Sequence, residues 1–170
     1  MDLVYSGQML IADHMRMDKI LKEIYEADAT REMQAPTSGR WTVMEDSALQ
    51  KASYDLRAKW SRFEEGLTNH FQVEETFLFP ILRHVNPSEA ATLAAEHQRL
   101  RQMLMEIGTG VNLSHSPIAQ RFFTELAQHA FRENGMLYTW SNTNVPEQTT
   151  SLIRGRLVKT FPDLNTMVTM

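Results

Sequence analysis

The apolar positions of this chain fall into four stripes whose spacing alternates between four and three residues, the period of an amphipathic helix. The first runs through Leu10, His14, Met17, Leu21 and Ile24. The second is the longest: Leu56, Trp60, Phe63, Leu67, His70, Glu74, Phe77 and Ile81, with Pro80 near its end, where a kink or stop is expected. Asn86-Pro87 opens the third, which continues through Leu93, His97, Leu100, Leu104 and Ile107 and ends at Gly108 and Gly110. Ser116-Pro117 opens the fourth, with Ile118, Phe122, Leu126, His129, Glu133, Met136 and Trp140 on its stripe. The stretch Ala35 to Arg40 reads as a long loop, and Asn142 to Pro146 ends the fourth helix. Glu147 to Val158 is expected to add a short fifth helix, and the last dozen residues carry no clear pattern.

No segment alternates with period two, so no sheet is expected. The fold class is all-α: an antiparallel four-helix bundle over residues 1–145, with residues 146–170 as a C-terminal extension docked on it.

The stripes are not purely apolar. Each carries a histidine at a seam position, and two carry a glutamate one turn later. His70 with Glu74 and His129 with Glu133 share the i, i+4 spacing that stacks both side chains on one helix face. A carboxylate buried there costs several kcal/mol unless something compensates it. No lysine or arginine occupies a neighbouring seam position; Arg101 and Arg132 lie beside the stripes. A metal cluster answers the problem, since imidazole with carboxylate suits iron, manganese or zinc. The metal candidates are therefore His14, His70, Glu74, His97, His129 and Glu133. A lone seam histidine is ordinarily a hydrogen-bonded core residue, but four of them with two matched glutamates are hard to explain that way. His84 and His115 fall off the stripes and read as surface residues.

Two six-coordinate metals offer twelve positions. Four histidines, two bridging glutamates and one bridging oxygen fill ten, leaving two open for a small molecule, as in a reactive or sensing centre. Asp18 repeats the i, i+4 spacing from His14. It reads first as the exposed partner of Lys22, and otherwise as a further ligand or an outer partner of one, a role for which Arg101 is also a candidate.

Composition narrows the partners. With 170 residues there is room for one domain, and a formal charge of -4 argues against a nucleic-acid surface. The absence of cysteine removes disulfides, thiolate nucleophiles and cysteine-held clusters. The N-terminus lacks the basic region and apolar run of a signal peptide, and no stretch approaches the ~20 apolar residues of a membrane span. A cytoplasmic protein with no nucleic-acid or membrane partner is expected, and a homodimer stays open.

Four stretches together resemble the hemerythrin-like, or HHE cation-binding, family: Ala12-Asp-His-Met-Arg-Met-Asp18, His70-Phe-Gln-Val-Glu-Glu-Thr-Phe-Leu-Phe-Pro80, Ala95-Glu-His-Gln-Arg-Leu100 and His129-Ala-Phe-Arg-Glu-Asn-Gly-Met-Leu-Tyr138. The resemblance implies an up-down-up-down bundle holding a non-haem di-iron centre, its two iron ions joined by an oxo or hydroxo bridge. Oxygen-carrying hemerythrins pair two histidines four apart on the third helix; here Arg101 stands where the second would be. They also place an aspartate five residues after the fourth-helix histidine, where this chain has Asn134, and the carboxylate is Glu133 instead. The four-histidine, two-glutamate set looks more like bacterial iron-centre repair and nitric-oxide-responsive relatives, which often carry a cysteine-containing module. The expected function is a di-iron protein that binds, senses or reacts with oxygen, nitric oxide or peroxide. Whether it turns over a substrate is left open. The alternatives are iron storage or iron-centre repair, and a metal-free helical interaction module. A ferritin-like oxidase would use Glu-x-x-His and a zinc hydrolase His-Glu-x-x-His; neither motif is present.

Overall fold

The computed structural model describes residues 5–34, 43–108 and 113–164, and within them the chain is helical with no strand. Helix α1 spans Ser6–Gln34. Helix α2 (Val43–Val73) runs through a π turn, Glu74–Leu78, directly into α3 (Phe79–Val85). Helix α4 covers Pro87–Ile107. After a short 3-10 turn, α5 (Pro117–Arg132) passes through a second π turn, Glu133–Leu137, into α6 (Tyr138–Asn144). Helix α7 is Glu147–Thr160. The proposed loop from Ala35 to Arg40, Gly110 and residues 165–170 lie outside the described residues.

Local signals set the helix ends. The Asn86 side chain accepts a hydrogen bond from the Glu89 N–H, and Pro87 takes the first helical position, where a missing N–H costs nothing. Ser116 caps α5 in the same way through the Ala119 N–H, ahead of Pro117. Gly108 ends α4 at φ 67°, a conformation that favours glycine, and its carbonyl accepts from the Trp60 indole at 2.8 Å.

The helices bundle around one core. α1 packs on α2 and α6, α4 on α3 and α5, and α7 on α2 and α1. Glu23 of α1 meets Lys59 while Asp13 meets His70, so the contacts of these two helices run in opposite sequence directions. The same holds for α1 against the last rod, where Gly7 meets Asn142 and His14 meets Asn134. One end of the bundle is filled by Trp60, Phe63 and Phe122, each buried, with ring centroids 5.5 to 6.5 Å apart. Burying an aromatic or large aliphatic side chain contributes about 1.5–3 kcal/mol, so these three rings together contribute several kcal/mol. Ile153 and Leu157 of α7, with Phe161 and Leu164 beyond it, join the same core. No described helix is long and apolar enough to cross a membrane.

The two π turns alter the expected stripes. A regular helix would continue the second stripe through Phe77 and Ile81, but these are only half-buried, and the buried positions are Leu78, Phe79 and Leu82. In the last rod Met136 is 41% exposed and Trp140 half-buried, while Leu137, Tyr138 and Ser141 are buried. Each π turn inserts one extra residue per turn and so advances the inward register by one. The rod also continues past Pro80 to Val85 instead of stopping there.

The second π turn is clamped by α1. A Cβ built on Gly7 would collide with the Tyr138 carbonyl and approach the Asn142 side chain to 2.6 Å. Backbone cannot yield as a flexible side chain does. Gly7→Ala is therefore expected to cost about 1–3 kcal/mol in urea unfolding; an unchanged midpoint would mean that α1 is not held against this turn.

Candidate metal centre

Four histidines and two glutamates from all the rods meet in the middle of the bundle. His14 comes from α1, His70 from α2, Glu74 from the first π turn, His97 from α4, His129 from α5 and Glu133 from the second π turn. All six are buried, and Glu74, His70, His97 and Glu133 are fully so. Each glutamate lies one turn after a histidine and opens a π turn.

The donor atoms form two groups. In one, atoms of Glu74, His97, His129 and Glu133 lie within 4.8 Å of one another; in the other, atoms of His14, His70 and Glu133 do. Glu133 belongs to both. Its Oε1 lies 3.0 Å from His129 Nε2 and 3.6 Å from His97 Nε2, and its Oε2 lies 3.5 Å from His14 Nε2. Glu74 Oε2 sits between His97 Nε2 at 3.3 Å and His70 Nε2 at 3.5 Å. His14 and His70 bring their Nε2 atoms to 3.0 Å.

Four atoms of the first group, Glu74 Oε2, His97 Nε2, His129 Nε2 and Glu133 Oε1, are buried with no hydrogen-bond partner beyond the facing donor atoms of the cluster. A buried polar atom left unpaired costs about 1–3 kcal/mol. Four of them converging on one point fit a cation, and imidazole nitrogen with carboxylate oxygen is a donor set for a divalent transition metal.

The outer nitrogens are all engaged, and the partners follow a rule. His70 Nδ1 meets Asp13 at 2.7 Å, His97 Nδ1 meets Glu75 at 2.8 Å, His129 Nδ1 meets Glu96 at 2.8 Å, and His14 Nδ1 meets Asn134 at 3.2 Å. Each partner is the chain neighbour of an inward donor: Asp13 of His14, Glu75 of Glu74, Glu96 of His97 and Asn134 of Glu133. A residue next in sequence is rotated about 100° around its helix, enough to face the adjacent helix. The four contacts therefore close a circuit around the bundle. With Nδ1–H donating outward, every Nε2 faces the centre, where its lone pair would meet a metal once any proton on it has left. Arg101 reinforces the circuit through two hydrogen bonds to Glu75, at 2.6 and 3.0 Å, and Arg132 approaches Glu96 at 3.3 Å. Asp13→Asn, Glu75→Gln or Glu96→Gln is expected to weaken metal binding about 10–100-fold. Competition with a chromophoric chelator would measure this, and unchanged affinity in all three would show that the circuit does not orient the imidazoles.

Apolar rings cover the cluster. Phe71 stacks on His97 at 3.9 Å between centroids, and Phe79 lies 5.1 Å from it. The charges are set by this burial and by each other. Burial works to lower the pKa of His70, but Glu74 and Asp13 overcome it and hold it up at about 9. His97 is likewise pulled down by burial yet raised to about 10 by Glu133, Glu74 and Glu75. His129 is raised against its burial by Glu133. Burial, with the charge on His70, pushes His14 down to about 3. Burial opposes ionisation of Glu133, yet His129 and His97 hold its pKa far below the ordinary carboxylate value.

A family model of the hemerythrin HHE cation-binding domain matches residues 7–141. The chain belongs to the hemerythrin HHE family. No curated protein and no solved structure matched it. The family match ends before α7, and the buried histidine and glutamate groups of this hemerythrin domain are compatible with cation binding.

The structure brings all six candidate ligands of the sequence together, and His84 and His115 are exposed. Arg101 stands off the centre, gripping Glu75. Asp18 is exposed and lies outside both donor groups. The buried stripe of α1 runs through Leu10, Asp13, Met17, Ile20 and Ile24, with His14 on its flank. Four residues advance a helix by about 40° beyond a full turn, which carries Asp18 off that flank into solvent. Asp13 is the aspartate that serves the site. Sequence reasoning assigned no role to Asp13, Glu75, Glu96 or Tyr138. The first three carried a readable signal, a carboxylate directly beside an inward ligand.

Proposed function

We propose that this hemerythrin HHE domain holds two metal ions, iron in the cell, and that the pair binds, senses or reacts with oxygen, nitric oxide or peroxide. The observation that carries the reading is Glu133, whose two oxygens face different histidine pairs within a cluster of buried donor atoms. On this reading His97 and His129 would hold one ion and His14 and His70 the other, with Glu74 and Glu133 supplying carboxylate oxygens to both. Iron bound there would supply a change of redox state and open positions for a small molecule. The protein's own part is to aim four imidazoles that give up any Nε2 proton when metal binds, to balance the cations with two carboxylates, and to exclude bulk water with Phe71 and Phe79.

The opposed contacts of neighbouring helices support an up-down-up-down bundle over residues 1–145, with 146–170 as the extension. Arg101 in the place of a carrier's fifth histidine favours a sensing or reactive centre over reversible oxygen carriage. A cytoplasmic location belongs to the same reading. A metal-free interaction module is disfavoured because it leaves those four buried atoms with only other donor atoms of the cluster to face.

The test is to mix anaerobic iron(II)-loaded protein with oxygen, or with nitric oxide, and to follow the visible spectrum. Oxidation within minutes and ready nitric oxide binding are expected. An oxygen adduct that forms reversibly and lasts for hours would overturn the sensor reading in favour of carriage.

A further inference from the structure

The hydroxyl of Tyr138 lies among the donor atoms. The side chain is fully buried, on the face of α6 that the second π turn brings inward. Its Oη is 2.7 Å from Glu74 Oε1, 3.2 Å from Glu133 Oε2, and 3.1 Å from Nε2 of both His14 and His70. A phenol carries one proton, so it can donate to only one of these partners at full strength. Donor atoms bound about 2.1 Å from one octahedral metal stand roughly 3 Å apart, because adjacent bonds meet at right angles. Three of the Oη distances, and the 3.0 Å between the two imidazole nitrogens, match that edge length.

The other arm of the fold provides an internal comparison. Phe79 follows Glu74 by five residues across the first π turn, as Tyr138 follows Glu133 across the second. Both rings are buried and both pack near a histidine, Phe79 at 5.1 Å from His97 and Tyr138 at 5.3 Å from His14. Phenylalanine therefore suffices for packing at this position. The hydroxyl on one arm alone, aimed at four donor atoms, needs a different explanation.

We propose that Tyr138 is a metal ligand, binding through its phenolate oxygen to the ion held by His14 and His70. This rests on the two-metal reading above and refines it. On coordination the O–H bond breaks; the proton leaves to solvent, and the electron pair stays on oxygen and is shared with the metal. The ion between His14 and His70 thereby gains a fifth side chain that the seam pattern did not provide. The positions open to a small molecule fall to the ion between His97 and His129. An anionic oxygen donor also favours iron(III) over iron(II), in line with rapid oxidation.

The experiment is visible absorption and resonance Raman spectroscopy of the iron(III) protein, with iron counted on the same samples. The wild type is expected to show a phenolate-to-iron charge-transfer band that enhances tyrosine ring vibrations. Y138F is expected to lose both while still binding iron, with one equivalent held about tenfold or more weakly. The other tyrosines, Tyr5, Tyr25 and Tyr54, are all substantially exposed, so the signal is attributable. A second measurement needs no variant: gallium(III), which is not redox-active, should produce the ultraviolet difference spectrum of a tyrosinate when added to the metal-free wild type. A wild type with two irons per chain and no tyrosine vibrations would overturn the ligand proposal and leave the two-metal reading intact. Ring vibrations that persist in Y138F would overturn it as well. A wild type that takes up no metal would overturn both.

Discussion

Glu133→Ala should empty both halves of the centre at once. Each oxygen of this carboxylate faces a different histidine pair, so its loss removes a donor from both donor groups. Outer partners of metal ligands are worth about 10–100-fold in affinity, so removing a shared ligand should weaken both ions by at least about 100-fold. The metal-free protein should suffer too. His97 and His129 lie against Glu133, and without it their charges are buried with less compensation. Removing one partner of a buried ion pair costs about 3–5 kcal/mol, which should be plain in urea unfolding of the metal-free variant. Alanine at His14, His70, His97 or His129 should mainly weaken the ion that the residue serves. His84→Ala and His115→Ala should leave metal content unchanged and shift stability by no more than about 0.5 kcal/mol. Metal content read by elemental analysis across this set decides the matter: equal losses in all six histidine variants would dissolve the distinction between inward and surface histidines.

Metal loading near neutral pH should expel protons. In the metal-free centre the carboxylates outweigh burial and hold His70 at about 9 and His97 at about 10, with His129 also raised. At pH 7 His70 and His97 are charged, and a metal can use them only after their protons leave. About two protons per chain should therefore appear on loading, and one more if Tyr138 binds as phenolate; with two displaced, affinity should fall about 100-fold per pH unit on acidification. Calorimetric titration in buffers of different ionisation enthalpy counts these protons directly; none released at pH 7 would contradict the charge state. The same shifts fix how the metal-free protein responds to pH. The stabilisation from charged His70 and His97 is complete below about pH 6.5, their unfolded value, and is lost as pH climbs through about 9 and 10. On the acid side, the contribution of ionised Glu133 is complete above the ordinary glutamate value and is lost as pH falls below it, while His14, held neutral by burial, costs stability below about pH 6.5. The metal-free protein should thus be most stable at about pH 6 and weaken towards pH 10.

The six inward donors were legible because period alone exposed them: His14, His70, His97 and His129 each interrupt an apolar stripe, and Glu74 and Glu133 follow one turn later. The register beyond the glutamates was not. A π turn adds one residue without leaving a mark in the pattern when neighbouring residues are both apolar, as Phe77 and Leu78 are, and Met136 and Leu137. The stripe could be continued through either member of each pair, and the regular choice was the wrong one. That slip hid Tyr138, which a regular helix would turn about 140° away from Glu133. Asp13, Glu75 and Glu96 were half-legible. Their position beside a ligand was visible, but which histidine each would meet depends on how neighbouring helices pack.

Counting the metal ions decides whether the bundle holds a two-metal centre. Protein purified from its own host without added metal should carry about two ions per chain by elemental analysis, and should regain them after removal by chelation at low pH. A folded wild type that carries no metal, and takes up none when offered iron, manganese or zinc, would contradict the account.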